Sequence, residues 1–392
     1  MTPAVTPVAA ARRTDRRIVG VDVARAFALI GMFSVHILPT SGPDGSATTA
    51  DVIASGRSAA LFAVLAGAGI ALATGGTHGL SGGRAHLVAA AGLVTRAVLV
   101  GVLGLLLVEL GTPVAVILSY YALLFVVAIP LLRLPVWALA SLAVVWCVAA
   151  PVVSHLLRAG GRSGPSDQPG IGALGDPVHL FVELSLTGYY PVLPWITYLL
   201  VGLAVGRIDL RQIRTAVGLL VTGVVLAVGA WVLSSVLLDL LGGAAALGGD
   251  PSVFDETRYG TTPTGSWWWL AVPAAHSSTP IDLAHTVGTA LAVLGASLLL
   301  ARAVRSLGWL LGAIGAIPLT LYTAHVVGLA INPGQDLELL LWHLAATTLV
   351  AVLIRLIGGR GPLEAVVAAA SRGVRRAVSA ATRSRDGPEA ER

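Results

Sequence analysis

The stretch that decides the fold is residues 18–38, IVGVDVARAFALIGMFSVHIL. It is apolar for long enough to cross a bilayer, which takes about 20 residues in a helix. It is interrupted only by Asp22, Arg25 and His36. A basic segment with Arg12, Arg13, Arg16 and Arg17 precedes it, so a cleaved signal peptide is the competing reading. The stretch is long for such a peptide, no small-residue cleavage site follows, and three ionisable residues interrupt it. We therefore read residues 1–17 as a disordered cytoplasmic tail and 18–38 as the first spanning helix.

Similar apolar segments recur at about 53–75, 89–110, 113–132, 135–157, 183–206, 213–241, 281–301, 307–330 and 337–357. The expected fold class is all-α: a polytopic integral membrane bundle of about ten transmembrane helices. The fourth and fifth segments, parted only by Arg133, Leu134 and Pro135, are expected to form a tight hairpin. Composition agrees: 56% of the 392 residues are hydrophobic and 11% charged. Soluble domains carry about a quarter charged residues. The expected organisation is one transmembrane domain over 18–357, followed by a basic cytoplasmic tail over 358–392.

All 25 basic residues are arginine. With the N-terminus inside, the inner loops hold Arg84, Arg133, Arg207, Arg211, Arg214, Arg302 and Arg305, and the tail holds seven more. The outer loops are mainly acidic, as the positive-inside rule requires. This places both termini in the cytoplasm, and the location implied is the cell membrane. The net charge of +5 is thereby explained by topology, and nucleic acid is not an expected partner. Residues 362–380 read as an amphipathic helix held on the inner leaflet by anionic lipid. Trp267, Trp268 and Trp269 read as an interfacial belt or as a stacking wall for a sugar. Cys147 is alone and expected to be inert. Gly308 and Gly312 suit close packing in the bundle or in a homo-oligomer.

An ionisable residue within a span is costly and so marks function by default. Asp22 and Arg25 share a helix face, and His36 lies three turns on, about 16 Å from Arg25 along the axis. Tyr322 and His325 share a face of a late helix, as do Asp282 and His285. Thr279, Pro280 and Asp282 also fit a helix cap. The histidines show no metal-binding spacing, and no metal is expected.

The segment from Gly20 to His36 resembles the opening helix of two related groups of membrane acyltransferases. One is the acyltransferase-three family, with its Asp-x-x-Arg and a histidine eleven residues later. The other is the heparan-alpha-glucosaminide N-acetyltransferase-like group with its YeiB-like relatives. The second is similar along more of the chain: Gly56 to Gly67, Thr187 to Trp195, His276 to Pro280, Leu319 to His325 and Gly361 to Glu364 follow in order. The resemblance implies transfer of an acyl group, above all acetyl, from cytosolic acyl-CoA to a hydroxyl or amine of an envelope saccharide or lipid-linked glycan acceptor. It implies His36 as general base or transient acyl carrier, Arg25 as donor clamp and Asp22 as its support. The expected substrate-binding residues are Arg57 (placed beside His36), Tyr189, Tyr190, Trp195, His276, His285, Tyr322 and His325. The rival expectation is a transporter using buried arginine and histidine as an ion relay. Its mark is helices broken in two matching halves, and the sequence shows none. A non-catalytic scaffold is a third, and would lack a pocket.

Overall fold

A computed structural model describes residues 17–42, 46–159, 168–249 and 257–386. The expected disordered tail, apart from Arg17, lies outside these residues. Among the described residues the chain is helical, with one isolated bridge between Ser41 and Ala47 and no strand. We number the helices α1 Val19–Ile37, α2 Thr49–Ala54, α3 Arg57–Ala73, α4 Gly83–Val108, α5 Leu118–Leu131, α6 Val136–Arg158 and α7 Pro177–Val182. There follow α8 Val192–Gly206, α9 Ile213–Ser235, α10 Pro280–Ala303, α11 Arg305–Ile314, α12 Pro318–Ile331, α13 Leu337–Leu356 and α14 Pro362–Asp386.

Seven helical spans are long and apolar enough to cross a membrane, among them α1, the α2–α3 unit and α10. The number rises to nine if each of two bent pairs is one span. Among the described residues the count is thus seven to nine, against the ten or so expected. The segment expected at 113–132 forms a helix, α5, of only 14 residues. That is about 21 Å, short of the ~30 Å hydrocarbon core. Two further segments are broken. The helix Pro177–Thr187 bends by 62° into α8, and α11 bends by 62° into α12. Proline explains both sites. Pro191 precedes α8, and Pro318 opens α12, where its missing N–H costs nothing. The expected α5–α6 hairpin is also absent: α5 packs on α4, whereas α6 packs on α8.

Helix α1 is the central post. It packs against α3, α10, α11, α12 and α13. Its Val23, Ala24, Leu29, Phe33 and Ile37 are fully buried. Caps fix where its neighbours begin. The Thr279 hydroxyl accepts from Asp282 N at 3.0 Å and the Asp282 carboxylate accepts from Ser278 N at 2.9 Å, so the expected cap of α10 is formed. Glu364 caps α12 from across the chain, accepting from Leu319 N at 2.7 Å and Thr320 N at 3.1 Å. This gives the Gly361–Glu364 motif a physical role, closing the broken helix onto α14.

The amphipathic α14 lies along α4, with Arg375 packed over Gly92. The three tryptophans form a short turn of helix, where Trp267 stacks on His155 at 4.5 Å and Arg258 covers Trp269 at 4.9 Å. Residues 160–167, between α6 and α7, lie outside the described residues. Gln168 is pinned to the Val114 carbonyl at 2.8 Å.

Helices α3 and α8 touch backbone to backbone. A Cβ added at Gly202 would stand 2.1 Å from the Val64 carbonyl oxygen. Gly202→Ala therefore forces the helices apart and is expected to cost ~1–3 kcal/mol, the usual range for overpacking. Gly218→Ala, at a position with open space around it, is the control. Thermal unfolding in detergent compares the two; equal midpoints contradict the packing account.

Candidate functional site

The site grows from the two ends of α1. At one end Asp22, 3% exposed, accepts from Arg25 Nη1 at 2.9 Å and from Arg17 Nε at 2.5 Å. An isolated carboxylate at this depth would be expensive, and the two arginines compensate it. Arg25 then faces a cavity of about 260 Å³, together with Arg96, Phe62, Phe125 and Glu364. The Arg96 guanidinium lies 5.0 Å from the Phe125 ring centroid, in cation–π geometry.

At the other end His36 faces a second cavity of about 470 Å³. Tyr189, Tyr190, Tyr259, His276 and Tyr322 line it with His36, and Ser55 and Ser58 add hydroxyls. The first broken helix supplies Tyr189 and Tyr190 at its bend. The second supplies Pro318 and Leu319 to the Arg25 cavity. Met32, Ile117 and Tyr322 line both cavities. Two polar chambers therefore stand end to end along α1, and these three side chains form the wall between them.

His36 belongs to a chain of three histidines. Its Nδ1 lies 3.2 Å from His325 Nε2, and His325 Nδ1 lies 3.0 Å from His343 Nδ1. Phe33 stacks flat on the His325 ring at 3.8 Å and holds it in place. Each contact needs one donor and one acceptor. If His36 Nδ1–H donates to His325, and His325 Nδ1–H to His343, then His36 Nε2 keeps a free lone pair. That tautomer makes His36 a base, and the reverse order does not. His343 escaped the sequence reading, because it sits alone in α13 with no partner at helical spacing. Among the described residues no group of three or more ligands is arranged to hold a metal.

The structure brings Arg25, bonded to Asp22, to one cavity, and His36, Tyr189, Tyr190, His276 and Tyr322 to the other. His325 contacts His36 from behind. Three expected residues stand apart. Trp195 is buried between Tyr190 and Tyr198, at 5.1 and 5.0 Å, as core. Arg57 does not line the His36 cavity. Its Nε donates to His285 Nε2 at 3.2 Å, and His285 Nδ1 meets the Ala227 carbonyl at 3.0 Å. The physical reason is that Gly56, at φ +69°, turns the chain just before Arg57 and starts α3 with that side chain facing α10. The His36 cavity is accordingly built from α1, the start of α3, α12 and loops.

His276 is held by the same turn. Its backbone is left-handed at φ 59°, and its Nε2 accepts from Gly56 N at 3.0 Å. The neutral ring therefore carries its proton on Nδ1, which is buried and has no hydrogen-bond partner among the described residues. Burial, with the Arg57 charge nearby, holds this imidazole down at about 4. The unfolded chain binds this proton near pH 6.5 and the folded chain does not. The contribution of His276 is therefore intact above pH 6.5 and is lost as pH falls through that window toward 4. The full loss is on the order of 3 kcal/mol. Melting curves from pH 8 to 4.5 are expected to fall more steeply for the wild type than for His276→Gln, whose side-chain oxygen can still accept from Gly56 N. Parallel curves contradict this.

Over half the chain, residues 17–235, matches the family described as "Heparan-alpha-glucosaminide N-acetyltransferase, catalytic". The matched stretch contains Asp22, Arg25, His36, Arg57, Tyr189 and Tyr190. No curated protein matches the chain. With its apolar helices and its paired cavities along α1, this chain belongs to the heparan-alpha-glucosaminide N-acetyltransferase catalytic family.

Proposed function

We propose that the protein is a membrane-bound acyltransferase that passes an acetyl group from acetyl-CoA to a hydroxyl or amine of an envelope saccharide or lipid-linked sugar. The observation that carries this reading is the shared wall: Arg25 and His36 lie on one helix and face two cavities that meet at Met32, Ile117 and Tyr322.

The division of labour follows from the chemistry of each chamber. Coenzyme A is polyanionic, and Arg25 and Arg96 give the smaller chamber fixed positive charge and planar donors. At about 260 Å³ that chamber is below the ~300–1,000 Å³ of sites for drug-sized ligands. It suits the thioester end of the donor, with the nucleotide outside. The larger chamber offers hydroxyl and aromatic surfaces that suit a sugar ring. There His36 Nε2 removes a proton from the acceptor as its oxygen or nitrogen attacks the thioester carbonyl. The carbon–sulfur bond breaks, and the leaving thiolate takes up a proton on the Arg25 side. A transient acyl-His36 is the variant in which the ring nitrogen itself attacks. The charge asymmetry of the loops puts the Arg25 chamber on the cytoplasmic side, where acetyl-CoA is available.

A second reading has one observation in its favour. The two helices broken at 62° are the feature expected of a transporter. Purified protein given radiolabelled acetyl-CoA and a glucosamine-containing glycan extract separates the two. The acyltransferase reading predicts label moved to glycan or held on the protein, with His36→Ala lowering this by ~10²–10⁴-fold, the usual share of a general base. Absence of both CoA binding and label transfer in the wild type contradicts it and favours the transporter.

A further inference from the structure

A cavity apart from those two chambers plays no part in the chemistry above. It is a groove of about 1130 Å³ on the side of the bundle, between α1 and α3 on one flank and α10 on the other. Its floor is made of small residues, among them Gly31, Ser34, Thr289, Ala290 and Ser297, so the surface is recessed. Its rims are Phe27, Ile30, Ile53 and Val293, which are apolar, and Phe27 and Ile53 are exposed. Along α10 it runs from Thr289 to Ala303, about 21 Å at 1.5 Å per residue. One leaflet of the ~30 Å hydrocarbon core is about 15 Å deep. The groove thus suits a hydrocarbon chain longer than a leaflet.

Two further observations give the groove a direction. First, Leu38, Ala54 and Ser58 line both the groove and the His36 cavity, so the two are continuous across a single layer of side chains. Secondly, Arg57 stands at that end of the groove. It is half-buried, and its bonds go to His285 and, at 3.4 Å, to the Ser55 carbonyl; among the described residues no carboxylate makes a contact ion pair with it, while Asp51 and Asp282 act on it from further off. Arg57 is also the first residue of α3, where the helix dipole favours an anion. A guanidinium without a contact ion pair at the head of an apolar groove is complementary to a phosphate attached to a long chain.

We propose that this groove seats the chain of a lipid-borne acceptor, with the lipid's phosphate on Arg57 and its saccharide in the His36 cavity. The word acceptor rests on the acyltransferase reading; the binding of the lipid does not. This arrangement gives Arg57 a task that its distance from the His36 cavity otherwise leaves unexplained. The acceptor diffuses in the plane of the membrane, enters from the side and presents its sugar to His36.

The test is binding followed by native mass spectrometry, with a long-chain polyprenyl phosphate as probe. The uncharged polyprenol, phosphatidylglycerol and inorganic phosphate are the comparisons. The proposal predicts that the polyprenyl phosphate binds about tenfold more tightly than the polyprenol or phosphatidylglycerol, and that inorganic phosphate does not bind. Arg57→Gln removes the preference for phosphate and Arg57→Lys largely keeps it. Ala296→Trp, at an exposed groove position, weakens both long-chain ligands without unfolding the protein. Equal binding of polyprenol and polyprenyl phosphate overturns the role of Arg57. No effect of Ala296→Trp overturns the groove, and equal binding of phosphatidylglycerol makes it a general lipid seat and overturns the acceptor. Acetyl transfer to a soluble glucosaminide without lipid binding sinks this proposal and leaves the acyltransferase standing; lipid binding without any transfer does the reverse.

Discussion

The pairing of Asp22 with Arg25 lets a helix with charge at one end and a histidine at the other occupy the centre of an apolar bundle. Without Arg25 and Arg17, a carboxylate 3% exposed would lie unpaired among hydrocarbon side chains. The pair is made within one turn of α1, and the neighbouring helices close on it. A Cβ at Gly315, in the break between α11 and α12, would collide with the Asp22 carbonyl oxygen, so the bent pair docks directly on this turn.

From that docking follow the two chambers. The break at Gly315–Ile317 brings the start of α12 to the Arg25 cavity, and Glu364 secures it there. The remainder of α12 carries Tyr322 and His325 up to His36. The bend before α8 supplies Tyr189 and Tyr190 to the opposite wall. Broken helices thus serve here to shape cavities on either side of one thin partition. Irregular backbone within a membrane bundle is tolerated where it is buried in protein or lines such a cavity.

The sequence reading succeeded where information is local. Asp22, Arg25 and His36 are placed on one face by helical spacing alone; Arg25 and His36 each line a cavity, and Asp22 bonds Arg25. The α10 cap from Thr279, Pro280 and Asp282 is written in four consecutive residues. It failed where the answer depends on partners distant in the chain. His343 meets His325 only because α12 and α13 pack together. The turn at Gly56 depends on His276, 220 residues away, and it sends Arg57 toward His285 instead of His36. The shortness of α5 was hidden because hydropathy continues through the loop before it, where Val114, Val116 and Ile117 are buried without being helical. Hydropathy reports burial, and a buried loop is as apolar as a span.

The central claim is that donor and acceptor approach from opposite ends of α1 and come into contact where the two cavities adjoin at Met32, Ile117 and Tyr322. Proteoliposomes with the protein in one orientation test it most directly, with radiolabelled acetyl-CoA supplied only on the Arg25 side and the acceptor only on the His36 side. The account predicts label on the acceptor across the sealed membrane. Transfer that occurs only when both substrates share one side would contradict it.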